Sequence, residues 1–599
     1  MKRYQKIISA GLFSLALIAG SGCSKILEEH PQSQIVPSLF ATPGGLLGGL
    51  SGVYNDIRSL WGTEGFTAQL VGGTDEHLKG ASASGTNFYT YNGLGSNDTK
   101  GGLWNIAYTD INTLNGILQF GQTVDLPAAT KTQYLAQAKF LRAFWYFHLV
   151  QMWGDVPLHL TFITTATTAD SRQPAADVYT QIIADLNDAV AGLTPQVAAP
   201  FLGKAATQAT ALYLLGKVYL TRGWLNNTAA DFTQALVSFN NLITNKATYG
   251  LDLWQDYNDA FKPANDYGKE VLFVSDHDND SKYGQYTTGG AASGGNAQNL
   301  IPWLFRFNYP TLGINAAINA SGVLATAGST MMTRDVANGR PFIRTRPNSG
   351  ILVAGTPTKN YIYGQAFAER SNDSRFDKTF QTVWIANTAG ITGTRGTLTV
   401  GVDTAIWVTP FDIPDAPQNN NGVPFKGIII PPRLQDANYF PVVKKFDDPS
   451  RAAANFNDPS TRPVCLYRFS DVYLLAAEAY FKLGDNTNAA AMINVVRQRA
   501  AFRTTNTTAQ NAAAVLAVTI TPAQVTLDFI LDERTREFFA EGLRWLDLVR
   551  TRTLVARVQT WNPIEAGQFI KPTHMLRPIP QNEIDAVTQG PKFPQNPGY

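Results

Sequence analysis

The stretch LDERTREFFAEGLRWLDLVR, residues 531–550, combines dense charge with an apolar stripe. Ten of the 23 residues from Asp528 to Arg550 are charged, whereas charged residues make up 16% of the whole chain. The apolar residues keep the spacing of one helical face: Phe529, Phe538, Phe539, Leu543, Trp545, Leu546 and Val549. Three acid–base pairs lie three residues apart and are expected to meet on the helix surface: Glu533 and Arg536, Glu541 and Arg544, and Asp547 and Arg550. Gly542 costs a helix interior about 1 kcal/mol, so the stretch predicts an amphipathic helix pair with a break or kink after Glu541.

The order E-R-x-R-E-F-x-x-E-G-x-R-W-x-D-L-x-R in this stretch resembles the C-terminal signature of the SusD/RagB family. Further segments resemble that family in the same order along the chain: residues 138–158, 339–347, 373–380, 471–485, 493–500, 576–584 and 594–599. Members of the family are surface lipoproteins that capture nutrients for a TonB-dependent transporter. The resemblance therefore implies a binding protein that performs no bond chemistry.

The N-terminus has the layout of a secretory signal peptide over residues 1–22. Lys2, Arg3 and Lys6 precede an apolar run at 7–19, which is shorter than the ~20 residues that a spanning helix needs. Cleavage before Cys23 would leave a cysteine for lipidation, although Gly20 stands where lipoprotein signals usually have Leu. The alternative is an ordinary signal peptide with an incidental cysteine. We expect a lipid-anchored, surface-exposed outer-membrane protein.

The charge of the chain argues against a nucleic-acid partner. The formal net charge is +2, and removing the three cations of residues 1–22 gives +2 − 3 = −1. A near-neutral protein without a basic block lacks the electrostatic footprint that nucleic-acid binding requires.

Helical periodicity is strong over residues 104–245 and 466–550, whereas residues 281–430 are rich in Gly, Asn, Thr and Pro. A small residue followed by Tyr, typical of a first tetratricopeptide helix, recurs at Ala143/Tyr146, Gly216/Tyr219 and Ala477/Tyr480. The predicted fold is mainly α, with tetratricopeptide-like repeats packed against a loop-rich region with short strands; the resemblance implies about four helix pairs. After the signal peptide we expect an N-terminal region at 23–250, a loop-rich ligand-binding region at 251–460 and a C-terminal region with the signature helices at 461–599.

Motifs of catalysis or metal binding are missing from the sequence. There is no H-E-x-x-H, G-x-S-x-G, Walker loop or paired C-x-x-C, and the six histidines are scattered. We therefore predict no enzyme activity, no metal site and no cofactor.

Aromatic residues in polar loops indicate a binding surface. Phe88, Tyr89 and Tyr91 lie among small polar residues, and Trp303 follows a Gly- and Ser-rich stretch. Exposed rings bind sugar faces or peptide side chains, and Asp75 is a candidate partner for a hydroxyl. The resemblance also places the ligand at loops in these two regions. We expect the loops at 75–103 and 281–310 to converge on one exposed surface.

Together these features predict a SusD-type lipoprotein that binds an oligosaccharide and presents it to a SusC-like transporter barrel. One alternative keeps the fold but binds peptide, as in the RagB branch. Two others are a surface glycoside hydrolase, whose carboxylate pair the sequence would not reveal, and a tetratricopeptide scaffold without a small ligand.

Overall fold

The computed structural model describes residues 37–99, 102–165, 167–198, 201–277, 299–349, 352–353, 356–357, 360–449, 457 and 459–599. The predicted signal peptide and Cys23 lie outside these residues. The fold is mainly helical with short strands, which confirms the predicted class.

Eighteen helices lie in the described residues. The first nine are α1 Pro37–Phe40, α2 Pro43–Ile57, α3 Glu64–Val71, α4 Thr86–Thr90, α5 Leu103–Phe120, α6 Ala128–Trp153, α7 Ala175–Gly192, α8 Gln208–Asn226 and α9 Ala229–Thr244. The others are α10 Ile301–Leu304, α11 Arg375–Thr379, α12 Phe469–Lys482, α13 Asn486–Ala500, α14 Thr508–Val518, α15 Leu527–Phe538, α16 Arg544–Arg550, α17 Leu554–Trp561 and α18 Gln581–Ala586.

The strands are short and concentrate in the middle of the chain. They are β1 His77–Lys79, β2 Val271–Ser275, β3 Ala317–Ile318, β4 Leu324–Ala325, β5 Thr345–Pro347, β6 Leu352–Val353, β7 Thr356–Pro357, β8 Phe380–Gln381, β9 Val383–Ile385, β10 Thr392–Gly393, β11 Gly396–Thr397, β12 Thr404–Val408, β13 Asn419–Asn420, β14 Val423–Pro424, β15 Ile428–Ile430, β16 Val442–Val443 and β17 Val464–Arg468. The order β15-β12-β9 forms a three-stranded sheet, and the other strands form two-stranded pairs.

Four pairs of helices form a tetratricopeptide-like array, as expected: α2 with α5, α6 with α7, α8 with α9, and α12 with α13. Tyr146, Tyr219 and Tyr480 lie on α6, α8 and α12, the first helix of their pairs. A Cβ atom at Gly216 of α8 would lie 2.5 Å from a ring carbon of Phe239 on α9. The small residue of the repeat therefore allows these two helices to pack closely.

Two main hydrophobic cores organise the described residues, which also contain two small clusters around Ile429 and Val518. The larger one follows the helical array and includes the signature helices. The smaller one lies between residues 307 and 442 and packs around Trp384 and Ile406 of the three-stranded sheet. Antiparallel pairing of β2 with β17 connects the segment after α9 to the start of α12.

The signature stretch forms α15 and α16, with Gly542 between them at a φ of +77°. A break is confirmed, but it begins earlier than predicted: α15 ends at Phe538, before Glu541, and Ala540 has a left-handed φ of +64° as well as Gly542. A left-handed residue cannot continue an α-helix, and glycine adopts this conformation without strain. Glu533 and Arg536 form the expected ion pair at 2.8 Å. Asp547 and Arg550 do so at the same distance.

Two expectations for the signature stretch are wrong. Glu541 and Arg544 do not pair: Glu541 binds Lys445 at 2.6 Å, and Arg544 binds Asp75 at 2.6 Å. The predicted pairs also do not lie on a helix surface, since Glu533 is fully buried and Arg536 is 5% exposed. The physical reason is that basic residues distant in sequence cover α15. Arg375, for example, contacts both Glu533 and Glu537.

Candidate functional site

The five residues predicted to contact ligand are all buried. Their exposed fractions are 0% for Asp75, 4% for Phe88, 2% for Tyr89, 3% for Tyr91 and 0% for Trp303. The expectation that these side chains are exposed on loops is therefore wrong.

Asp75 joins the N-terminal part of the chain to the signature helices. Its carboxylate accepts hydrogen bonds from Arg544 at 2.6 and 2.7 Å and from the Nε of Arg557. Burial by itself would raise the pKa of Asp75, but the two guanidiniums outweigh it and hold that pKa well below its ordinary value. The Asp75 carboxylate is therefore occupied by ion pairs within the protein.

The predicted rings are covered by residues from distant parts of the chain. Tyr89 bonds to Thr345 through its hydroxyl, and Tyr91 stacks on His574 with ring centroids 4.8 Å apart. Trp303 packs against Phe342 with centroids 5.1 Å apart. The sequence shows polar neighbours for these rings, but their real neighbours come from elsewhere in the chain.

The two predicted loop regions do meet, through residues 342–347. β1 pairs with β5 in the register His77↔Pro347. Phe342 N donates to Trp303 O at 3.2 Å, which brings in the second region. Convergence is therefore found in the described part of both loops, with the rings forming the interior of the junction. Residues 281–298 of the second loop lie outside the described residues.

A groove of about 620 Å³, here called the first groove, lies beside α5. The first half of α5 forms one side, the segment 157–170 forms the second and the segment 583–593 forms the third. Its lining residues are Trp104, Asn105, Tyr108, Thr109, Asn112, Thr113, Pro157, His159, Phe162, Ile163, Thr167, Thr168, Asp170, Glu583, Ala586, Val587 and Phe593.

Side-chain amides of α5 hold the segment 157–170 in place. Asn112 accepts from Ile163 N at 2.7 Å and donates to Ile163 O at 3.1 Å. Asn115 donates to His159 O at 3.0 Å. At the far end, Thr588 N donates to Thr168 O at 3.0 Å, which joins the two remaining sides. The groove is thus built into the fold before any ligand arrives.

Half-buried rings and polar groups share the lining of the first groove. Tyr108, His159 and Phe162 each keep part of their surface exposed. The Tyr108 ring lies 5.6 Å from the His159 ring, and His159 is hydrogen-bonded to Asp170 at 3.1 Å. Glu583 lies on the opposite side, where burial raises the pKa of its carboxyl group.

The Tyr108 hydroxyl is a fixed hydrogen-bond donor. It donates to Pro157 O at 2.8 Å. Burial first, and then the neighbouring Tyr146 and Asp170, raise the pKa of Tyr108 well above its ordinary value. The phenol therefore stays protonated and holds its ring at a constant angle in the groove.

Sequence reasoning missed this groove, although a signal for it exists. Asn105, Tyr108, Thr109 and Asn112 lie at helical spacing on a helix whose other positions are largely apolar. Trp104 also lines the groove and is 3% exposed. The other two sides come from segments distant in sequence, which no local pattern brings together.

The described residues contain no group of three or more His, Cys, Asp or Glu side chains that could hold a metal ion. Their helices also include none with the length and apolar character that crossing a membrane requires.

The fold and groove define a tetratricopeptide-like protein with a preformed cleft, and comparison with known proteins gives its family. The model described as "SusD family" matches residues 269–599, and the model described as "Starch-binding associating with outer membrane" matches residues 62–220. Because the first match covers more than half of the chain, the protein belongs to the SusD family.

Individual relatives agree with this assignment. SusD-like protein P2 of Formosa agariphila is 31% identical over 273 residues, 44% of this chain and 52% of that protein. This match spans only about half the relative's length. SusD-like protein P38 of the same organism is 23% identical over 616 residues, covering 100% of both chains.

Solved structures share the fold at low sequence identity. NanU of B. fragilis has a TM-score of 0.65 at 21% identity, over 95% of this chain and 99% of that one. A laminarin-binding SusD-like protein has a TM-score of 0.61 at 21% identity, over 92% of this chain and 99% of that one.

Proposed function

We propose that this protein is a surface lipoprotein that binds an oligosaccharide in the first groove and delivers it to a SusC-like TonB-dependent transporter. Family membership supports the transport role. The name of a similar solved structure, which mentions laminarin binding, and the description of one matching family model, which mentions starch binding, support a saccharide ligand. Lipidation at Cys23 would attach the protein to the outer membrane.

The observation that carries the proposal is the combination of rings and polar groups in the first groove. Tyr108 and Phe162 present ring surface to a sugar face, while Asn105, Thr109 and Asp170 offer donors and acceptors to hydroxyl groups. Concave sites of 300–1,000 Å³ are the usual size for small ligands. At about 620 Å³, the groove has room for a short oligosaccharide.

A binding comparison of Tyr108 variants tests the site. Truncating a central aromatic typically costs about 2 kcal/mol, so Tyr108→Ala should weaken binding roughly thirtyfold. Tyr108→Phe keeps the ring and should bind within a few fold of wild type. Tyr267→Ala removes a half-buried tyrosine outside the groove and serves as the matched control. A glycan array followed by calorimetry with the best hexasaccharide provides the measurement.

The alternatives give different outcomes in the same experiment. Retention on immobilised peptides with no binding to any glycan would support the peptide-binding branch of the family. Release of shorter products from a polysaccharide, removed by Glu583→Gln, would support a hydrolase. Equal affinity of Tyr108→Ala and wild type would exclude the first groove as the site.

A further inference from the structure

A second groove, of about 520 Å³, lies in another part of the helical array. It shares no lining residue with the first groove. The helices pack in the order α5, α6, α7, α8, α9, α12, α13, α14. Residues of α5 line the first groove, and residues of α12, α13 and α14 line the second. The two grooves therefore lie at opposite ends of this packing order.

The lining of the second groove combines rings with uncharged polar groups. Trp254 and Phe502 are half-buried, and Tyr473, which also belongs to the lining, is 6% exposed. The complete lining consists of Lys246, Asp252, Leu253, Trp254, Gln255, Tyr473, Val495, Gln498, Arg499, Phe502, Thr508, Asn511, Ala512 and Val515. Gln255, Gln498 and Thr508 are exposed at the rim, where they can meet hydroxyl groups.

Contacts to the backbone and to the ring position Trp254. Its backbone N–H donates to Glu270 Oε2 at 3.2 Å, and Glu270 is a buried carboxylate that also binds Arg468 at 2.7 Å. The Nζ of Lys269 lies 4.8 Å from the Trp254 ring centroid. These contacts connect the groove to the buried ion-pair network of the signature helices, which is rigid because its members are buried and multiply bonded.

The charges in the lining are already balanced by neighbours. Lys246 Nζ lies 2.6 Å from Asp252 Oδ1. Arg499 is bound by Glu537 and, at 3.4 Å, by Glu270. A charged ligand would have to compete with these pairs, whereas a neutral ligand would leave them intact. Rings, amides and a hydroxyl around a neutral lining suit a saccharide without acidic groups.

We propose that the second groove is a separate binding site for a neutral saccharide. The inference rests on the proposed function, because it assigns a second site for the same class of ligand. Two sites on one protein would allow a single polysaccharide chain, or two chains, to be held at both ends of the array, which increases avidity when the geometry allows both contacts.

Site counting by calorimetry tests the inference. The probes are laminarihexaose and maltohexaose, used with wild type and with variants of both grooves. Ala512→Trp fills the second groove from an exposed position on α14 and should leave the melting temperature unchanged. Trp254→Ala removes the principal ring, and Tyr108→Ala weakens the first groove roughly thirtyfold, so the titrations are run at concentrations where a site of that affinity is not detected. We expect two sites in wild type, one in each single-groove variant, and none when Ala512→Trp and Tyr108→Ala are combined.

The contrary outcomes separate this inference from the proposed function. One site in wild type that is lost in Tyr108→Ala and unchanged in Ala512→Trp overturns the second site and leaves the proposed function in place. Binding of no saccharide on the glycan array, and of neither hexasaccharide at millimolar concentration, overturns both. If Ala512→Trp lost binding to a peptide but kept the same number of saccharide sites, the second groove would be a peptide site instead.

Discussion

Two buried carboxyl groups, Asp110 and Glu537, show how neighbours decide the effect of burial. Asp110 lies on α5 at 2% exposure, and burial followed by the charge of Asp56 raises its pKa to about 9. Burial alone would also raise the pKa of Glu537, but Arg499, Arg468 and Arg375 outweigh it and lower that pKa to about 2. Asp110 is therefore protonated at neutral pH, whereas Glu537 is ionised.

The substitution Asp110→Asn tests whether this buried carboxyl group keeps its proton at neutral pH. The folded protein keeps this proton up to about pH 9, whereas the unfolded chain releases it near pH 3.8. The free energy of unfolding therefore falls as the pH rises between these two values. Asn mimics the protonated form, and the variant should be more stable at pH 8 by about 1 kcal/mol or more. Melting temperatures of both proteins from pH 4 to 9 provide the measurement. Parallel curves would show that Asp110 does not titrate in this way.

At the scale of elements, the signature helices α15 and α16 act as the centre of the buried ion-pair network. Arg534 bridges Asp471 of α12 and Asp547 of α16 at 2.6 and 2.7 Å. Trp545 is fully buried, and the guanidinium of Arg577 lies 4.0 Å from its ring centroid. The signature therefore joins the helical array to the C-terminal segment.

Trp545→Ala should destabilise the protein without changing its binding site. Removing a fully buried tryptophan side chain leaves a cavity and costs about 3–5 kcal/mol. Trp545→Phe keeps most of the packing and should lose clearly less. Thermal or chemical unfolding measures the loss, and calorimetry on the folded fraction should give wild-type saccharide affinity. If Trp545→Ala had normal stability but did not bind saccharide, the signature helices would form part of the binding site rather than only support the fold.

For the whole molecule, the proposed lipid anchor is Cys23, which lies outside the described residues. Those residues contain no helix suited to crossing a membrane. If Cys23 carries several acyl chains, they supply durable attachment, whereas a single chain is marginal.

Cys23→Ser should release the protein from membrane fractions when it is expressed without a partner barrel. The reason is that the substitution removes the thiol that would be acylated. Fractionation followed by immunoblotting provides the measurement, with Cys465→Ser as the matched control because Cys465 is part of β17. Retention of the Cys23→Ser protein in a detergent-resistant membrane fraction would contradict the lipoprotein hypothesis.

The sequence alone was enough to predict the helical array, its repeat and its family. Those features depend on local spacing: the small residue and Tyr of each repeat lie on one helix, and Gly542 indicates a break, which in the structure begins after Phe538. Boundaries of the three predicted regions stay predictions. The signature helices were also placed correctly, but their charges were expected on a surface, because the partners that cover them lie far away in sequence.

Only the tertiary structure decided which aromatic residues face solvent. Polar neighbours in sequence predicted exposure for Tyr89 and Trp303, yet their contacts are Thr345 and Phe342. The first groove likewise needs α5, the segment 157–170 and the C-terminal segment together. A helix is specified by contacts within a few residues, whereas a cleft is specified by contacts between segments that the chain brings together only on folding.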